Sequence, residues 1–349
     1  MKSFAPALFA ALLTTVTASA EPHWRFSAGY APMIGIKAEF KGFGNFQNLF
    51  PVPPPAAGTN YFYTDGFVQL DSSGNFGGLT TFWLYNNATQ FDPTGFGGMG
   101  AINYTTLVGS GLNQTGSVTD DNIAASAGFD LRADLHFGAV SFLPKIAGRP
   151  IAWGLHSGFQ YSRVDVSNSD SLTASLTTIN DSFNLNGLAP LAPGIPGSFT
   201  GPNVMIGDTP TRTFGAANAS ITGSRDLDVQ VFITQIGSYL EIPITKKIDL
   251  MLEGGFLVGV ASGSYDYTTT VAVPGVGAQT TSGHSSHNRL LPGFYTGLGL
   301  TYNITPHFGI QGAARYQYMR QFDLIANGSD ASLSFDSAFV LSLSAVWKF

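Results

Sequence analysis

The stretch Leu333–Phe349, LSFDSAFVLSLSAVWKF, decides the fold. Its odd positions hold Leu333, Phe335, Ser337, Phe339, Leu341, Leu343, Ala345, Trp347 and Phe349, whereas its even positions hold Ser334, Asp336, Ala338, Val340, Ser342, Ser344, Val346 and Lys348. A period of two places these sets on opposite faces of one β-strand. A long apolar edge strand promotes aggregation in water, but a closed barrel in lipid pairs its whole backbone. The stretch therefore predicts a transmembrane β-barrel.

Similar alternation recurs along the chain. Together with the C-terminal stretch, the strand-like segments are Trp24–Phe40, Ile123–Phe137, Arg149–Val166, Asp226–Ile244, Ile248–Tyr267, Leu290–Asn303 and Phe308–Phe322. The least regular is Asp226–Ile244, where an apparent change of parity near Phe232 indicates a β-bulge. These segments predict an all-β fold, an up-and-down antiparallel barrel of eight strands.

The connections between these segments alternate in length. Thr245–Lys247 and Thr305–His307 are short, whereas 41–121, 167–225 and 268–288 are long and rich in Gly, Ser, Thr, Asn and Pro. Outer-membrane barrels have short periplasmic turns and large extracellular loops, so the three long segments are predicted to lie outside the cell. If 65–71 and 79–85, or 101–108, entered the wall, the barrel would have ten strands.

Composition and the first residues agree with a membrane protein that is exported. The 349 residues are 44% hydrophobic and only 11% charged, against roughly a quarter charged in soluble domains. A basic start, an apolar run and Ala18-Ser19-Ala20 predict a signal peptide over 1–20, cleaved after Ala20, with 21–349 as the barrel domain. The net charge of −6 argues against nucleic acid as a partner, and the absence of cysteine excludes a thiolate metal site.

Aromatic residues cluster at the ends of the predicted strands. Trp24, Phe137, Trp153, Tyr302, Phe308, Trp347 and Phe349 fall at the inferred periplasmic rim, and Phe40, Tyr161, Tyr265, Tyr267, Tyr318 and Phe335 at the outer rim. Aromatic rings favour the headgroup boundary, so two such girdles are expected around a lipid-facing band.

With its leader, its alternating strands and the ending Ser344–Phe349, SAVWKF, the chain resembles the small bacterial outer-membrane barrels, the OmpA-like and OmpW-like group of the porin superfamily. The resemblance implies a place in the outer membrane of a Gram-negative cell, in contact with lipid and lipopolysaccharide. It also implies that Trp347 and Phe349 form the signal read by the barrel-assembly machinery. It is architectural and carries neither an activity motif nor a cofactor.

Parity assigns many charged side chains to the inside of the barrel. The predicted polar network of the lumen comprises Arg25, Lys37, Glu39, Asp130, Arg132, Asp134, His136, Glu241, Glu253, Arg315 and Asp336. An eight-stranded lumen is only wide enough for its own side chains, and unpaired buried charges are costly. We therefore expect a packed network of ion pairs; a polar pore with charge selectivity is the alternative.

The function predicted from these features is a structural or surface-interaction role, with a ligand that the sequence does not identify. A porin-like channel for small or apolar solutes is the alternative. A lipid-modifying enzyme is disfavoured because His136 and His156 face inward and neither a Gly-x-Ser-x-Gly nor a His-Glu-x-x-His motif occurs. His284 and His287 lack a third ligand nearby, so no metal site is predicted.

Overall fold

The computed structural model describes residues 23–43, 52–75, 77–108, 116–125, 127–140, 143–201 and 203–349. The predicted signal peptide lies outside these residues. The strands are β1 (His23–Tyr30), β2 (Met33–Ile34), β3 (Ile36–Phe43), β4 (Tyr61–Tyr63), β5 (Gly66–Gln69), β6 (Leu79–Thr80), β7 (Phe82–Tyr85), β8 (Phe91–Asp92), β9 (Ala101–Leu107), β10 (Gly116–Ile123), β11 (Ala127–Ala139), β12 (Ala152–Asn168), β13 (Leu172–Asn184), β14 (Ile206–Gly207), β15 (Thr211–Pro243), β16 (Ile248–Val273), β17 (Gly277–Asn303), β18 (Phe308–Met319), β19 (Phe322–Ala326), β20 (Ser329–Ser334) and β21 (Ala338–Lys348). A 3-10 turn at Ala88–Gln90 and a helical turn at Gly95–Gly98 complete the elements. Among the described residues, no helix is long and apolar enough to cross a bilayer.

Eight strands close into a ring, which confirms the predicted strand number. The order around the ring is β1, β11, β12, β15, β16, β17, β18 and β21, with every neighbouring pair antiparallel and β21 returning to β1. The ten-strand alternative is wrong. Strands β4, β5 and β7 form a separate small sheet, and β9 pairs with β13 instead of entering the ring.

Alternation sorts side chains between the outside and the inside of the ring. On β16, Leu252, Phe256, Val258 and Val260 point outward and are exposed, while Glu253 and its odd-numbered neighbours point inward. The other ring strands also expose large apolar side chains, including Phe26, Leu131, Leu155, Ile236, Leu298, Ile310 and Leu343. Together these residues form an apolar belt around the barrel, which is the surface that lipid requires.

Three ring strands continue far beyond this belt. Strands β15, β16 and β17 have 33, 26 and 27 residues, whereas about 9–11 residues suffice to cross a bilayer. The segments 167–225 and 268–288 are therefore not irregular loops over most of their length. Strand β13 and the start of β15 form a hairpin, and β16 and β17 pair without interruption from Ile248↔Tyr302 to Val273↔Gly277.

The polarity of the barrel inverts where these strands leave the belt. On β12, outward residues change from Leu155 and Tyr161 to Asp165, while inward residues change from Gln160 to Val164. The same change on β15 explains the irregularity near Phe232. There is no bulge, because β12 and β15 stay in register throughout. The inward face simply turns apolar where the outward face meets water.

A second sheet caps the outer end of the ring. It contains β10, β3, β20 and β19 in that order. Its buried apolar face includes Phe40, Leu324 and Phe335, which share one hydrophobic core with the inward face of the tall wall strands. The mouth of the barrel is thus filled by a dry core.

This cap corrects two predicted strands. Strand β1 ends at Tyr30, and Gly35 has a φ of +73°, which lets the chain change direction. Strand β3 is therefore a cap strand and does not continue β1 as the sequence had predicted. Likewise, the chain bends between Phe335 and Ala338, so the C-terminal stretch is divided between β20 in the cap and β21 in the wall. The predicted outer girdle is also wrong in part, because Phe40, Tyr265, Tyr267 and Phe335 are buried.

A further module extends from the wall outside the ring. Its small sheet of β4, β5 and β7 packs against β9 and β13 around a second hydrophobic core that includes Tyr63, Trp83, Tyr104 and Phe183. We call this part, the described residues of 52–107 with β13 and β14, the extracellular module. It extends from the wall through the pairing of β13 with β15.

Candidate functional site: the polar lumen

The lower lumen, inside the apolar belt, contains a chain of alternating charges. Starting near the periplasmic end, Arg25 binds Glu241 (Nη1–Oε2 2.8 Å) and Asp134 (Nε–Oδ2 2.7 Å). Arg132 lies next, 3.4 Å from Asp134 through its Nε atom, and binds Glu253 (Nη1–Oε2 2.5 Å). These residues come from β15, β1, β11 and β16, so the chain of charges crosses the lumen between strands.

Arg315 on β18 completes this chain of charges. Its Nη2 atom binds Asp130 Oδ2 at 2.6 Å, its Nε atom lies 3.7 Å from Glu253 Oε1, and its Nη1 atom donates to Gln235 Oε1 at 3.0 Å. The order is Glu241, Arg25, Asp134, Arg132, Glu253, Arg315 and Asp130, with each arginine between two carboxylates. Each of the seven side chains is buried. Three positive and four negative charges leave little net charge inside the wall.

Neutral polar side chains fill the space around these charges. Gln317 donates to Gln160 Oε1 at 2.9 Å, and His156 hydrogen-bonds Tyr295 within the lumen. The guanidinium of Arg25 lies 5.0 Å from the ring centre of Tyr239. Parity could have identified these residues, but neutral polar side chains occur on both faces of such strands, so sequence analysis included none of them in the network.

Inward-facing glycines make room for the arginines. A Cβ atom on Gly158 would lie 2.5 Å from Gln235 Nε2, and one on Gly297 would lie 2.6 Å from Arg315 Cγ. Both distances are shorter than any normal contact. The many glycines of the wall strands therefore set the width that the polar side chains fill.

Three residues assigned to the network from sequence lie elsewhere. Lys37 and Glu39 are on the outward face of β3, where Glu39 pairs with Lys41 at 2.8 Å. Asp336 is exposed in the bend between β20 and β21. The reason is the change of sheet at Gly35 and after Phe335, which reverses the parity counted from the wall. His136 does face the lumen, where its Nδ1 atom lies 3.4 Å from the Tyr239 hydroxyl.

The two ends of the lumen differ. The periplasmic end opens into a cavity of about 370 Å³, bounded by Arg25, His136, Tyr239 and Lys348 among others. The outer end is closed by the apolar core beneath the cap, where Val231, Leu257 and Leu291 from the wall are buried. No group of three or more potential metal ligands occurs among the described residues.

A closed antiparallel ring with an even number of strands, an apolar belt and a polar interior can exist only with its belt in lipid. The chain folds as a transmembrane β-barrel. The apolar belt is continuous around the ring. The tall strands of the barrel extend beyond the belt into water, on the side of the cap and the extracellular module.

Comparisons with known proteins add little beyond this. No family model matches the barrel, and no curated protein matches it either. Solved structures similar to it include the outer membrane protease OmpT of Escherichia coli, at 10% identity and a TM-score of 0.31 over 96% of this chain and 99% of that chain. The attachment invasion locus protein Ail of Yersinia pestis, in complex with the heparin analogue sucrose octasulfate, has 11% identity and a TM-score of 0.27 over 95% and 100%. Scores this low transfer no activity to this chain.

Proposed function

We propose that this protein is a non-conducting barrel that anchors a folded extracellular module in the outer membrane for interaction at the cell surface. The observation that carries the proposal is that the lumen is filled at two levels, by the buried ion pairs inside the belt and by the apolar core beneath the cap. A solute that passed the chain of buried ion pairs would still meet the dry core under the cap. Conduction requires a continuous polar path, and the described residues leave none.

The outer part of the molecule supports an interaction role. The wall, cap and extracellular module present a large folded surface to the outside, built from strands with a defined register. Such a surface can be held in one conformation because two hydrophobic cores lie beneath it. Binding residues commonly occur on segments that a rigid scaffold positions.

Single-channel recording in planar bilayers tests the proposal. We expect no steady openings from the wild-type barrel. Steady openings that disappear when Arg132 or Glu253 is neutralised would establish the alternative, a channel for small or apolar solutes. The folding of each variant is checked on an SDS gel, where a folded barrel migrates differently before and after heating.

The partners expected from the sequence belong to the same proposal. We infer that the belt contacts outer-membrane lipid and lipopolysaccharide, and that the assembly machinery recognises the C-terminal strand through Trp347 and Phe349. Both side chains face outward at the periplasmic rim, and Phe349 is 72% exposed. Such a position leaves them accessible before the barrel enters the membrane.

We also propose that the barrel is not an enzyme. His156 is buried inside the lumen and His136 faces the periplasmic end of the lumen, so neither can act on a substrate in the outer leaflet. Unchanged lipid A after overexpression of the barrel supports this proposal, whereas a modified lipid A that disappears with His156→Gln would overturn it.

A further inference from the structure

Two periplasmic turns on one side of the barrel form a basic patch. The turn between β11 and β12 carries Lys145 and Arg149, and the turn between β15 and β16 carries Lys246 and Lys247. The Nη1 atom of Arg149 donates to the Thr245 carbonyl at 3.2 Å, so the two turns are in contact. We call these four cationic residues the basic rim.

Most of the charge of the basic rim has no counter-charge. Lys145, Lys246 and Lys247 are exposed and form no ion pair within the part of the chain that the structure describes. Arg149 binds the buried Asp249 (Nη1–Oδ1 2.7 Å) and is neutralised by it. The segments 138–151 and 242–248 contain neither Asp nor Glu. Three uncompensated positive charges therefore lie together at the periplasmic end of the barrel.

Apolar neighbours place the basic rim at the edge of the lipid belt. Ile146 and Ile244, which belong to the same two turns as the lysines, are 38% and 47% exposed. The N–H groups of Ile244 and Thr245 donate to the Ile248 carbonyl at 2.9 and 3.1 Å, so this turn is tight and keeps its lysines next to the belt. Lysine stems cover apolar surface while the ammonium group stays among polar groups. The basic rim thus lies at the level of the headgroups of the periplasmic leaflet.

The outer rim on the same side of the barrel has the opposite charge. Just beyond the belt, the outward face of β12 and β15 carries Asp165, Asp226 and Asp228 with a single cation, Arg163, which binds Asp228 (Nη2–Oδ2 2.6 Å). Asp165 and Asp226 are exposed. Because like charges repel, this part of the outer rim disfavours the anionic headgroups that the basic rim attracts. The two leaflets therefore meet surfaces of opposite charge.

We propose that the basic rim binds the headgroups of anionic phospholipids in the periplasmic leaflet. Lys145, Lys246 and Lys247 attract the lipid phosphate as point charges, and the acyl chains lie along the apolar belt beside Ile146 and Ile244. Charge complementarity and continuity with the lipid belt favour this occupant over an acidic protein. The proposal requires the barrel to span the membrane, but it does not depend on conduction or on what the extracellular module binds.

Quenching of tryptophan emission by brominated lipids tests the proposal. Trp153 is the reporter, because it lies at the periplasmic end of β12, directly opposite Leu240 of β15. Trp24→Phe and Trp347→Phe remove the other tryptophans of this rim, and Trp83 is buried in the extracellular module. The folded barrel is placed in phosphatidylcholine vesicles that contain either brominated phosphatidylglycerol or brominated phosphatidylcholine. We expect brominated phosphatidylglycerol to quench Trp153 at the lower mole fraction.

A double substitution should remove this preference. Lys246→Gln with Lys247→Gln should reduce the preference for phosphatidylglycerol by about fivefold for each lysine. The matched control is Lys41→Gln with Arg320→Gln, which removes the same charge from exposed positions on the cap side and should leave the preference unchanged. The preference should also decline in about 1 M NaCl, where charges are screened beyond about 3 Å.

Three results would overturn the proposal. The first is equal quenching of the folded barrel by the two brominated lipids. The second is an equal loss of preference in the two double variants, which would mean that only the net charge of the protein matters. The third is a preference that persists at high salt. Migration before and after heating on an SDS gel shows that each variant is folded, and Lys145→Gln replaces the double substitution if that variant does not fold.

Discussion

In the lumen, two carboxylates are each shared between two arginines. Glu253 lies between Arg132 and Arg315, and Asp134 lies between Arg25 and Arg132, so removal of one carboxylate affects two arginines. Removing one partner of a buried ion pair lowers the stability far more than replacing both partners, because the remaining charge stays buried without a counter-charge.

Glu253→Gln should therefore lower the free energy of unfolding by about 3–5 kcal/mol. The matched control is Asp323→Asn, which breaks an exposed pair with Arg289 (Nη1–Oδ2 2.8 Å) and should change stability by about 0–1 kcal/mol. Urea titration in detergent micelles, followed by the heat-dependent shift on SDS gels, measures both. Equal effects of the two substitutions would contradict the buried network.

A carboxyl group in the extracellular module should make its stability depend on pH. Burial raises the pKa of Asp65 to about 6, and its Oδ1 atom has no hydrogen-bond partner among the described residues. Because the folded pKa lies above the unfolded value near 4, the protonated form favours folding, and this contribution is lost as pH rises from about 4 to 6. Asp65→Asn should stabilise the module at pH 8 and have little effect at pH 4.

Asp71 provides a control of opposite sign. Although burial opposes it, hydrogen bonds from Ser73 and Thr81 lower the pKa of Asp71 to about 2. Its contribution to stability is present above the unfolded value near 4 and is lost as pH falls towards 2. Asp71→Asn should thus destabilise the module at pH 8. Emission from the buried Trp83 during urea titration reports both variants, and the same sign for both would contradict this assignment.

At the scale of elements, the period of two predicted where strands occur but not where they change sheet. Alternation continues through Leu333–Phe349 although β20 and β21 belong to different sheets. Each sheet places apolar side chains on one face, and the sequence does not say whether lipid or a dry core covers that face. Lys37, Glu39 and Asp336 were assigned to the lumen for this reason.

The pairings within the lumen could not be predicted either. The alternation predicts that Arg25, Asp134 and Glu241 point inward, because side-chain direction depends only on the period of the strand itself, and all three side chains are buried in the structure. Which carboxylate meets which arginine depends on the register between strands far apart in sequence. Arg25 and Glu241, for example, come from β1 and β15, which are not neighbours in the ring.

The last strand allows a test of its role in assembly. Phe349 pairs by its backbone N–H with the Trp24 carbonyl at 3.0 Å, and its ring packs edge-on against Phe26 at 5.8 Å. We expect Phe349→Ser to reduce the amount of barrel in the outer membrane more than Phe339→Ser does, although both positions face outward on this C-terminal segment. Heat-modifiable barrel in isolated membranes is the measurement. Equal losses would show that lost apolar surface alone matters.

At the scale of the whole molecule, two hydrophobic cores divide the protein. The larger core joins the wall to the cap, so cap and barrel should unfold together. The smaller core belongs to the extracellular module, which is attached to the wall through the pairing of β13 with β15 and through Leu107, Ala174 and Leu176, three module residues that lie in the larger core. A small core buries less apolar surface and tolerates less denaturant than a large one.

The extracellular module should accordingly unfold first. In a urea titration, Trp83 emission should change at a lower denaturant concentration than the heat-dependent gel shift, since Trp83 is buried in the module whereas Trp24 and Trp347 lie on the lipid face. Phe183→Ala, in the module core, should move the first transition to lower urea and leave the second unchanged. Leu257→Ala, under the cap, should move the second. A single transition, shifted equally by both substitutions, would mean that the two cores form one cooperative unit.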